Sequence, residues 1–233
     1  MNKIIRCYNC GKELFDGDIT KEHIPAKTLF DGYDNIFKNN RITVSACLDC
    51  NNKYSKIDEE FRNLIGVISR HESNDRLTEK SVTSVLRKGT GFKRLHFGLY
   101  NKVEGVEFDY ATIEAFHKKN FKGLFYYQYG YPLPDNYEII VNINEDDNSE
   151  GTLSVISYLK NHFEWKHSGH PDIFSYCMQP LRDSISTEGM EDLTLDDDEI
   201  LIACLMVYNK EHGALVIAVE KSHLELINKR HGK

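Results

Sequence analysis

Two closely spaced pairs of cysteines constrain the fold of this 233-residue chain more than any other feature of its sequence. Cys7 and Cys10 are separated by two residues, and so are Cys47 and Cys50. Each Cys-x-x-Cys turn holds two thiolates close together, and two such turns complete the four-sulfur shell of a tetrahedral Zn²⁺ ion, with bonds of about 2.3 Å. A redox role for one pair would need a thioredoxin-like context, which the sequence after Cys10 does not offer. We therefore predict a structural zinc site.

The remaining composition is that of an ordinary globular protein. The hydrophobic fraction is 40%, which is too high for a disordered chain. The longest apolar run, Ile200–Tyr208, has nine residues, whereas a membrane helix needs about 20. The first residues lack the apolar segment of a secretory signal. We therefore expect a cytoplasmic protein with no membrane partner, in which Cys177 and Cys204 are buried as small hydrophobic side chains.

The net charge of −7 is unevenly distributed along the chain. Residues 1–122 hold 21 basic and 17 acidic residues and are mildly positive, at +4. Residues 123–233 hold 8 basic and 19 acidic residues, a net charge of −11. Groups that contact phosphates are therefore expected in the first half. The acidic stretches at 145–147 and 188–199 are interpreted as solvated loops or, alternatively, as a partner surface or a mimic of nucleic acid.

Hydrophobic periodicity predicts an α+β fold in which an antiparallel sheet occupies the second half. We divide the chain into an N-terminal zinc-bound domain (1–72), a helical connecting region (73–122) and an acidic α+β domain (123–233). The predicted helices are Asn51 to about Arg70, Leu77–Lys88, Tyr110 to about Phe121 with Asp109 as N-cap, and Gly151–Phe163. The predicted extended segments are Ile42–Ala46, Phe92–Tyr100, Tyr137–Ile143, Phe174–Met178, Ile200–Tyr208 and Ala214–Val219, with a hairpin loop at Asn209–Gly213.

Two short motifs accompany the cysteine pairs. Glu22-His23-Ile24-Pro25 lies between the pairs, and Asn51-Asn52-Lys53 directly follows Cys50. This order resembles the HNH endonuclease family, also called ββα-metal or His-Me finger, in its zinc-stapled form. It is similar to small bacterial HNH proteins and to phage recombination endonuclease VII. The resemblance covers about residues 5–65 and implies a zinc-stapled, treble-clef-like ββα-metal nuclease domain.

The resemblance also implies a role for each motif residue. His23 corresponds to the general base that activates water, and such a base needs a pKa near neutrality. Glu22 and Asn51 correspond to ligands of one catalytic Mg²⁺ or Mn²⁺ ion, which suits oxygen ligands. The zinc ion would be structural, because it would fix these segments relative to each other. Lys53, Lys27 and Arg41 are candidate phosphate contacts, or else ordinary surface charge.

Together these features predict a metal-dependent endonuclease that hydrolyses phosphodiester bonds, with DNA as the favoured substrate and RNA as an alternative, in a setting such as phage defence or restriction. Two positions differ from the usual family pattern. Glu22 stands where aspartate is usual, and Ile42 stands at the position of the central asparagine. They motivate an alternative, a non-catalytic zinc module that binds nucleic acid or protein. No reaction is predicted from residues 123–233, and an acidic partner surface there remains a third possibility.

For several other polar and aromatic residues, the sequence favours a structural role over metal binding or base stacking. Asp58 and Glu59 lie seven and eight residues after Asn51, and we expect solvent-facing helix charges there rather than metal ligands. The aromatic run at 125–131 favours core or interface packing over base stacking. The histidines at 162, 167 and 170 do not have the spacing of a standard metal site.

Overall fold

The computed structural model describes residues 4–68, 75–88, 92–97, 103–143, 150–181, 201–210, 212–222 and 224. Within them the chain is a mixture of helices and antiparallel sheets, which confirms the predicted α+β class. The strands are β1 (Ile5–Arg6), β2 (Glu13–Leu14), β3 (Thr20–Ile24), β4 (Ile42–Ala46), β5 (Phe92–Phe97), β6 (Val103–Phe108), β7 (Tyr137–Asn142), β8 (Lys166–His167), β9 (Phe174–Leu181), β10 (Leu201–Tyr208) and β11 (His212–Glu220). The helices are α1 (Leu48–Lys53), α2 (Ser55–Ile68), α3 (Asp75–Lys88), α4 (Tyr110–Tyr129) and α5 (Glu150–His162), and short 3-10 helices span Lys27–Phe30 and Asn35–Lys38.

The N-terminal segment contains two antiparallel strand pairs followed by a helix. β1 pairs with β2, and β3 pairs with β4. Along β4, Ile42, Val44 and Ala46 are buried while Thr43 is exposed, as a strand with one covered face requires. The predicted strand at Ile42–Ala46 is therefore confirmed, and it leads directly into α1.

The helix predicted from Asn51 to about Arg70 begins earlier and is interrupted. α1 starts at Leu48, and Cys47 is its N-cap because the Cys47 sulfur accepts a hydrogen bond from the Cys50 backbone N–H. A break at Tyr54 separates α1 from α2. Asn51 therefore lies inside α1, which begins three residues before the predicted start at Asn51.

Helix α4 contacts both the N-terminal segment and the C-terminal sheet. It begins after Asp109, the predicted N-cap residue, and it extends beyond the predicted end at Phe121. It stops at Gly130, whose φ of 80° is the left-handed conformation typical of a helix C-terminus. Its Phe116 ring stacks on Phe61 of α2 with 3.7 Å between ring centroids. This contact joins α4 to the helix that follows the second cysteine pair.

The C-terminal sheet has the strand order β7-β11-β10-β9-β8 within the described residues, and every pairing is antiparallel. Alternate residues of β10 enter two different hydrophobic clusters, as the two faces of a strand must. Cys204, Met206 and Tyr208 join the main core with α4 and the N-terminal segment, whereas Leu205 packs in a cluster with Leu159 of α5. The main core is thus continuous from the cysteine pairs to the sheet.

Most predicted elements of the second half are confirmed, with changes in length. The predicted hairpin between β10 and β11 is present, but its turn is shorter, because Tyr208 already pairs with His212. β6 was not predicted. Cys177 and Cys204 are buried, as predicted. The domain boundaries at residues 72 and 122 stay a prediction. The acidic stretches at 145–147 and 188–199 lie outside the described residues. No helix in the described part of the chain combines the length and apolar content needed to cross a bilayer.

Candidate functional site

The four cysteines predicted to bind metal converge at one point. The sulfurs of Cys7, Cys10, Cys47 and Cys50 all lie within 4.8 Å of one another. The Cys10 and Cys47 sulfurs are 3.9 Å apart, close to the roughly 3.8 Å edge expected of a tetrahedron with Zn–S bonds of about 2.3 Å. The cluster is therefore compatible with one structural zinc ion, and it joins the β1–β2 turn to the start of α1.

Polar groups around the cysteine cluster orient its sulfurs. The Asn9 side-chain amide donates to the Cys50 sulfur at 3.3 Å, and the Cys50 backbone N–H donates to the Cys47 sulfur at 3.4 Å. Donors of this kind stabilise thiolates that bind a metal. The Tyr54 hydroxyl donates in turn to the side-chain oxygen Oδ1 of Asn9 at 3.4 Å, so the break between α1 and α2 is tied to the cysteine cluster.

The motif residues line one cavity of about 240 Å³ beside α1. Glu22, His23 and Asn51 all contribute to its wall, so the structure brings together three residues that the sequence separates. The other lining residues are Lys21, Ala26, Lys27, Thr28, Ser55 and Asp58. The cavity therefore collects a histidine, two carboxylates, an amide and two lysines within reach of one small ligand group.

Strand alternation gives Glu22 and His23 different surroundings. Glu22 is 5% exposed, whereas His23 is half-buried. Burial lowers the pKa of His23, and the nearby charges of Arg41, Lys27, Lys119 and Lys21 lower it further. A neutral imidazole at this position can accept a proton near neutral pH.

A lysine that the sequence reasoning missed occupies the interior beside Glu22. The Lys119 side chain of α4 is fully buried, and its ammonium donates to both Asp58 carboxylate oxygens at 2.7 and 2.6 Å. The same ammonium lies 3.1 Å from Oε1 of Glu22. Burial raises the pKa of both carboxyl groups, and the charge of Lys119 partly opposes that rise.

Asp58 corrects an expectation from the sequence. It is 8% exposed and paired with Lys119, so it is not a solvent-facing helix charge. Glu59 is also partly covered, because its carboxylate accepts from Ser84 and lies 3.6 Å from the Arg62 guanidinium. The sequence signal available for Asp58 was its helical spacing from Asn51, but nothing local indicated its partner in α4.

The three candidate phosphate contacts have different positions. Lys27 lines the cavity. The Arg41 guanidinium lies 5.5 Å from the centroid of the Phe30 ring, and its Nε donates to the Lys38 carbonyl oxygen at 3.0 Å. Lys53 is exposed and lies 5.6 Å from the Tyr54 ring centroid. Only Lys27 is therefore among the residues that form the wall of the cavity.

Ile42, at the usual position of the central asparagine, has a structural role. It pairs with Ile24 across the β3–β4 ladder and is 5% exposed. Its backbone N–H donates to the Ser168 hydroxyl at 2.8 Å. The position thus contributes packing beside the motif strand, and its side chain has no polar group to orient His23.

The positions of the three histidines and of the aromatic run at 125–131 agree with the structural roles expected for them. In the described part of the chain, the four cysteines are the only group of three or more potential metal ligands, so the histidines at 162, 167 and 170 form no such group. In the aromatic run, Phe125 is buried and Tyr126 and Tyr129 pack against the core, whereas Tyr127 and Tyr131 are exposed. Comparison with protein-family models, with curated proteins and with solved structures finds no match to this chain.

Proposed function

We propose that this protein is a metal-dependent endonuclease of the HNH type that hydrolyses phosphodiester bonds, with DNA as the favoured substrate. The observation that carries the proposal is the convergence of Glu22, His23 and Asn51 on one cavity next to a four-cysteine cluster. The order of β3, β4 and α1 agrees with the ββα arrangement that the sequence resemblance implies. A cytoplasmic role in phage defence or restriction is the setting that the resemblance favours.

His23 is the general base of the proposed reaction. Its half-buried imidazole, with a pKa lowered by burial and by nearby positive charges, removes a proton from the attacking water. Lys27 lines the same cavity and supplies positive charge for a phosphate oxygen. These two residues therefore activate the nucleophile and attract the substrate.

The cavity also has oxygen ligands that fit a divalent cation. Among the described residues, Oε2 of Glu22 is a buried atom without a hydrogen-bond partner, and Asn51 lines the same cavity. Carboxylate and amide oxygens are ligands that Mg²⁺ and Mn²⁺ accept. When bound, such an ion supplies positive charge that stabilises the charge developing on the phosphate oxygens.

The zinc ion held by the four cysteines has a structural role in this proposal. All four sulfurs surround one point, which leaves no open position for substrate. Cys47 and Cys50 belong to the turn that begins α1, and Asn51 directly follows Cys50. Zinc therefore fixes the position of Asn51 relative to the strand that carries Glu22 and His23.

Plasmid cleavage with Mg²⁺ or Mn²⁺ tests the role of His23. We expect His23→Ala to reduce the cleavage rate by roughly 10²-fold or more, because a general base contributes at least that much. The matched control is His167→Ala, which removes an exposed histidine on β8 and should leave the rate unchanged. Equal cleavage by His23→Ala and the wild type would contradict the proposal.

A non-catalytic zinc module that binds nucleic acid or protein is the second candidate function. The contact between Lys119 and Glu22 favours it, because a carboxylate already paired with an ammonium has less charge to offer a metal ion. The buried Ile42 favours it as well. This candidate predicts one zinc ion per chain, no further divalent ion and no cleavage, with any protein partner recruited by the acidic second half.

A further inference from the structure

Lys119 makes an unusual set of contacts for a lysine in a helix core. Its side chain is fully buried, and its ammonium lies between carboxylates from two other elements, Glu22 of β3 and Asp58 of α2. Fully buried lysines are rare unless they are paired. Lys119 therefore makes α4, which lies far along the chain from the cysteine pairs, a direct contributor to the candidate site.

The three charges do not balance. One ammonium faces two carboxylates, so the cluster carries an excess negative charge when all three groups are ionised. Both oxygens of Asp58 are bonded to the ammonium at 2.7 and 2.6 Å, whereas Glu22 is contacted through Oε1 alone. Within the described residues, Oε2 of Glu22 has no hydrogen-bond partner. The excess negative charge is therefore accompanied by an acceptor atom without a donor, Oε2 of Glu22, and Glu22 lines the cavity.

We propose that Lys119 is a positioning residue for the divalent-cation site. This inference rests on the function proposed above. The ammonium holds Glu22 through Oε1 and leaves Oε2 as the oxygen that accepts a cation. Its positive charge also weakens the binding of that cation, so Lys119 and Asp58 together determine the affinity. Through Lys119, α4 therefore influences the site together with β3 and α2, which carry the two carboxylates.

A purely structural ion pair makes a different prediction. If Lys119 only anchored α4 to α2, its removal would lower stability but would leave the affinity of the folded protein for divalent ions unchanged. If Lys119 is a positioning residue, removing its ammonium leaves two carboxylates without a counter-ion, and these carboxylates then attract the bound cation more strongly. Removing the charge of Asp58 has the opposite effect, because Lys119 is then balanced by Glu22 alone.

Binding of Mn²⁺ to the full-length, zinc-loaded protein, measured by electron paramagnetic resonance without nucleic acid, tests the proposal. We expect Lys119→Met to tighten Mn²⁺ binding roughly tenfold or more and Asp58→Asn to weaken it by a similar factor, because each change alters the net charge of the cluster by one unit. Glu22→Gln should abolish binding. The matched control is Lys118→Met, whose ammonium faces Glu114 at 2.8 Å and not the site, and it should bind Mn²⁺ like the wild type.

Unchanged Mn²⁺ affinity in Asp58→Asn would overturn the proposal even if Lys119→Met fails to fold, since the asparagine is close in shape to the aspartate. A wild type that binds no Mn²⁺ would overturn it as well. If Mn²⁺ binds with the expected shifts but no nucleic acid is cleaved, the proposed nuclease function is contradicted while the role of Lys119 stands.

Discussion

Gly123 is a residue at which α4 packs closely against the strand that carries Glu22 and His23. A Cβ atom at this position would lie 2.4 Å from Cδ1 and 2.5 Å from Cγ1 of Ile24. Ile24 is fully buried, so its side chain has little room to move. The glycine thus allows α4 to pack directly beside the motif strand, at the cost of a weaker helix propensity.

We expect Gly123→Ala to lower the free energy of unfolding by about 1–2 kcal/mol, because overpacking outweighs the gain in helix propensity. Urea denaturation measures the change. Adding Ile24→Val removes the methyl group closest to the new Cβ, so the double variant should be more stable than the sum of the two single effects predicts. Strictly additive effects would show that α4 does not press on Ile24.

The residues of the site differ in how far the sequence predicted them. Glu22, His23 and Asn51 were predicted because their two motifs occur in one order with the cysteine pairs, and that order resembles a known family. Lys119 and the pairing of Asp58 were not predicted, because a buried ion pair depends on which helices pack together. Such contacts between distant segments leave no local pattern in a single sequence.

The element that links the cysteine cluster to the cavity is α1. It is only six residues long, too short to be a stable helix without external support. Its support comes from Cys47 as N-cap and from the sulfur cluster at its first turn. Asn51 therefore depends on the four-cysteine cluster for its position, even though its side chain lines the neighbouring cavity.

Loss of one zinc ligand should consequently disrupt the site as a unit. We expect Cys47→Ser to lose the single bound zinc and all cleavage activity, because apparent zinc affinities of roughly 10–16 kcal/mol exceed the stability of such small units. Metal content by atomic absorption and helix content by circular dichroism measure the effect. Cys177→Ala, which removes a buried cysteine outside the cluster, is the control and should keep its zinc. Retention of one zinc ion by Cys47→Ser would contradict this role.

The sequence predicted a helix or strand where neighbouring residues alone form a recognisable pattern. Strands β4, β7, β10 and β11 were recognised because their β-branched and apolar residues stand out in the sequence. Helix α4 was predicted too short, since its second half is rich in aromatic residues and is partly buried against neighbouring elements. Its extent depends on tertiary packing and on the stop at Gly130, which periodicity alone does not indicate.

At the scale of the whole molecule, α4 joins the N-terminal segment to the sheet through the buried His117 and the partly buried His212. His117 of α4 and His212 of β11 have their Nε2 atoms 3.1 Å apart, and their rings are stacked. The Tyr208 hydroxyl lies 3.5 Å from the other ring nitrogen of His117. Burial lowers the pKa of His117 well below its usual value, and burial lowers that of His212 to about 4.

These shifts predict a loss of stability in mild acid. The unfolded chain binds protons at both histidines below about pH 6.5, whereas the folded protein excludes them until the pH approaches about 4 for His212. The stability that the pair contributes is therefore present above pH 6.5 and is lost as the pH falls. Each histidine should add up to about 1.4 kcal/mol per pH unit to the slope between pH 6.5 and 5, because the unfolded histidine becomes fully protonated only at the lower end of this range.

Urea denaturation from pH 7 to pH 5 tests this interface between α4 and the sheet. We expect His212→Gln to remove up to about 1.4 kcal/mol per pH unit from the slope, since one of the two titrating groups is gone. His167→Gln, which changes an exposed histidine of β8, controls for general effects of histidine removal and should keep the wild-type slope. Comparison of slopes also cancels the contribution of Glu22 and Asp58, whose raised pKa values act in the opposite direction. An identical slope in His212→Gln and the wild type would mean that the pair does not couple α4 to the sheet.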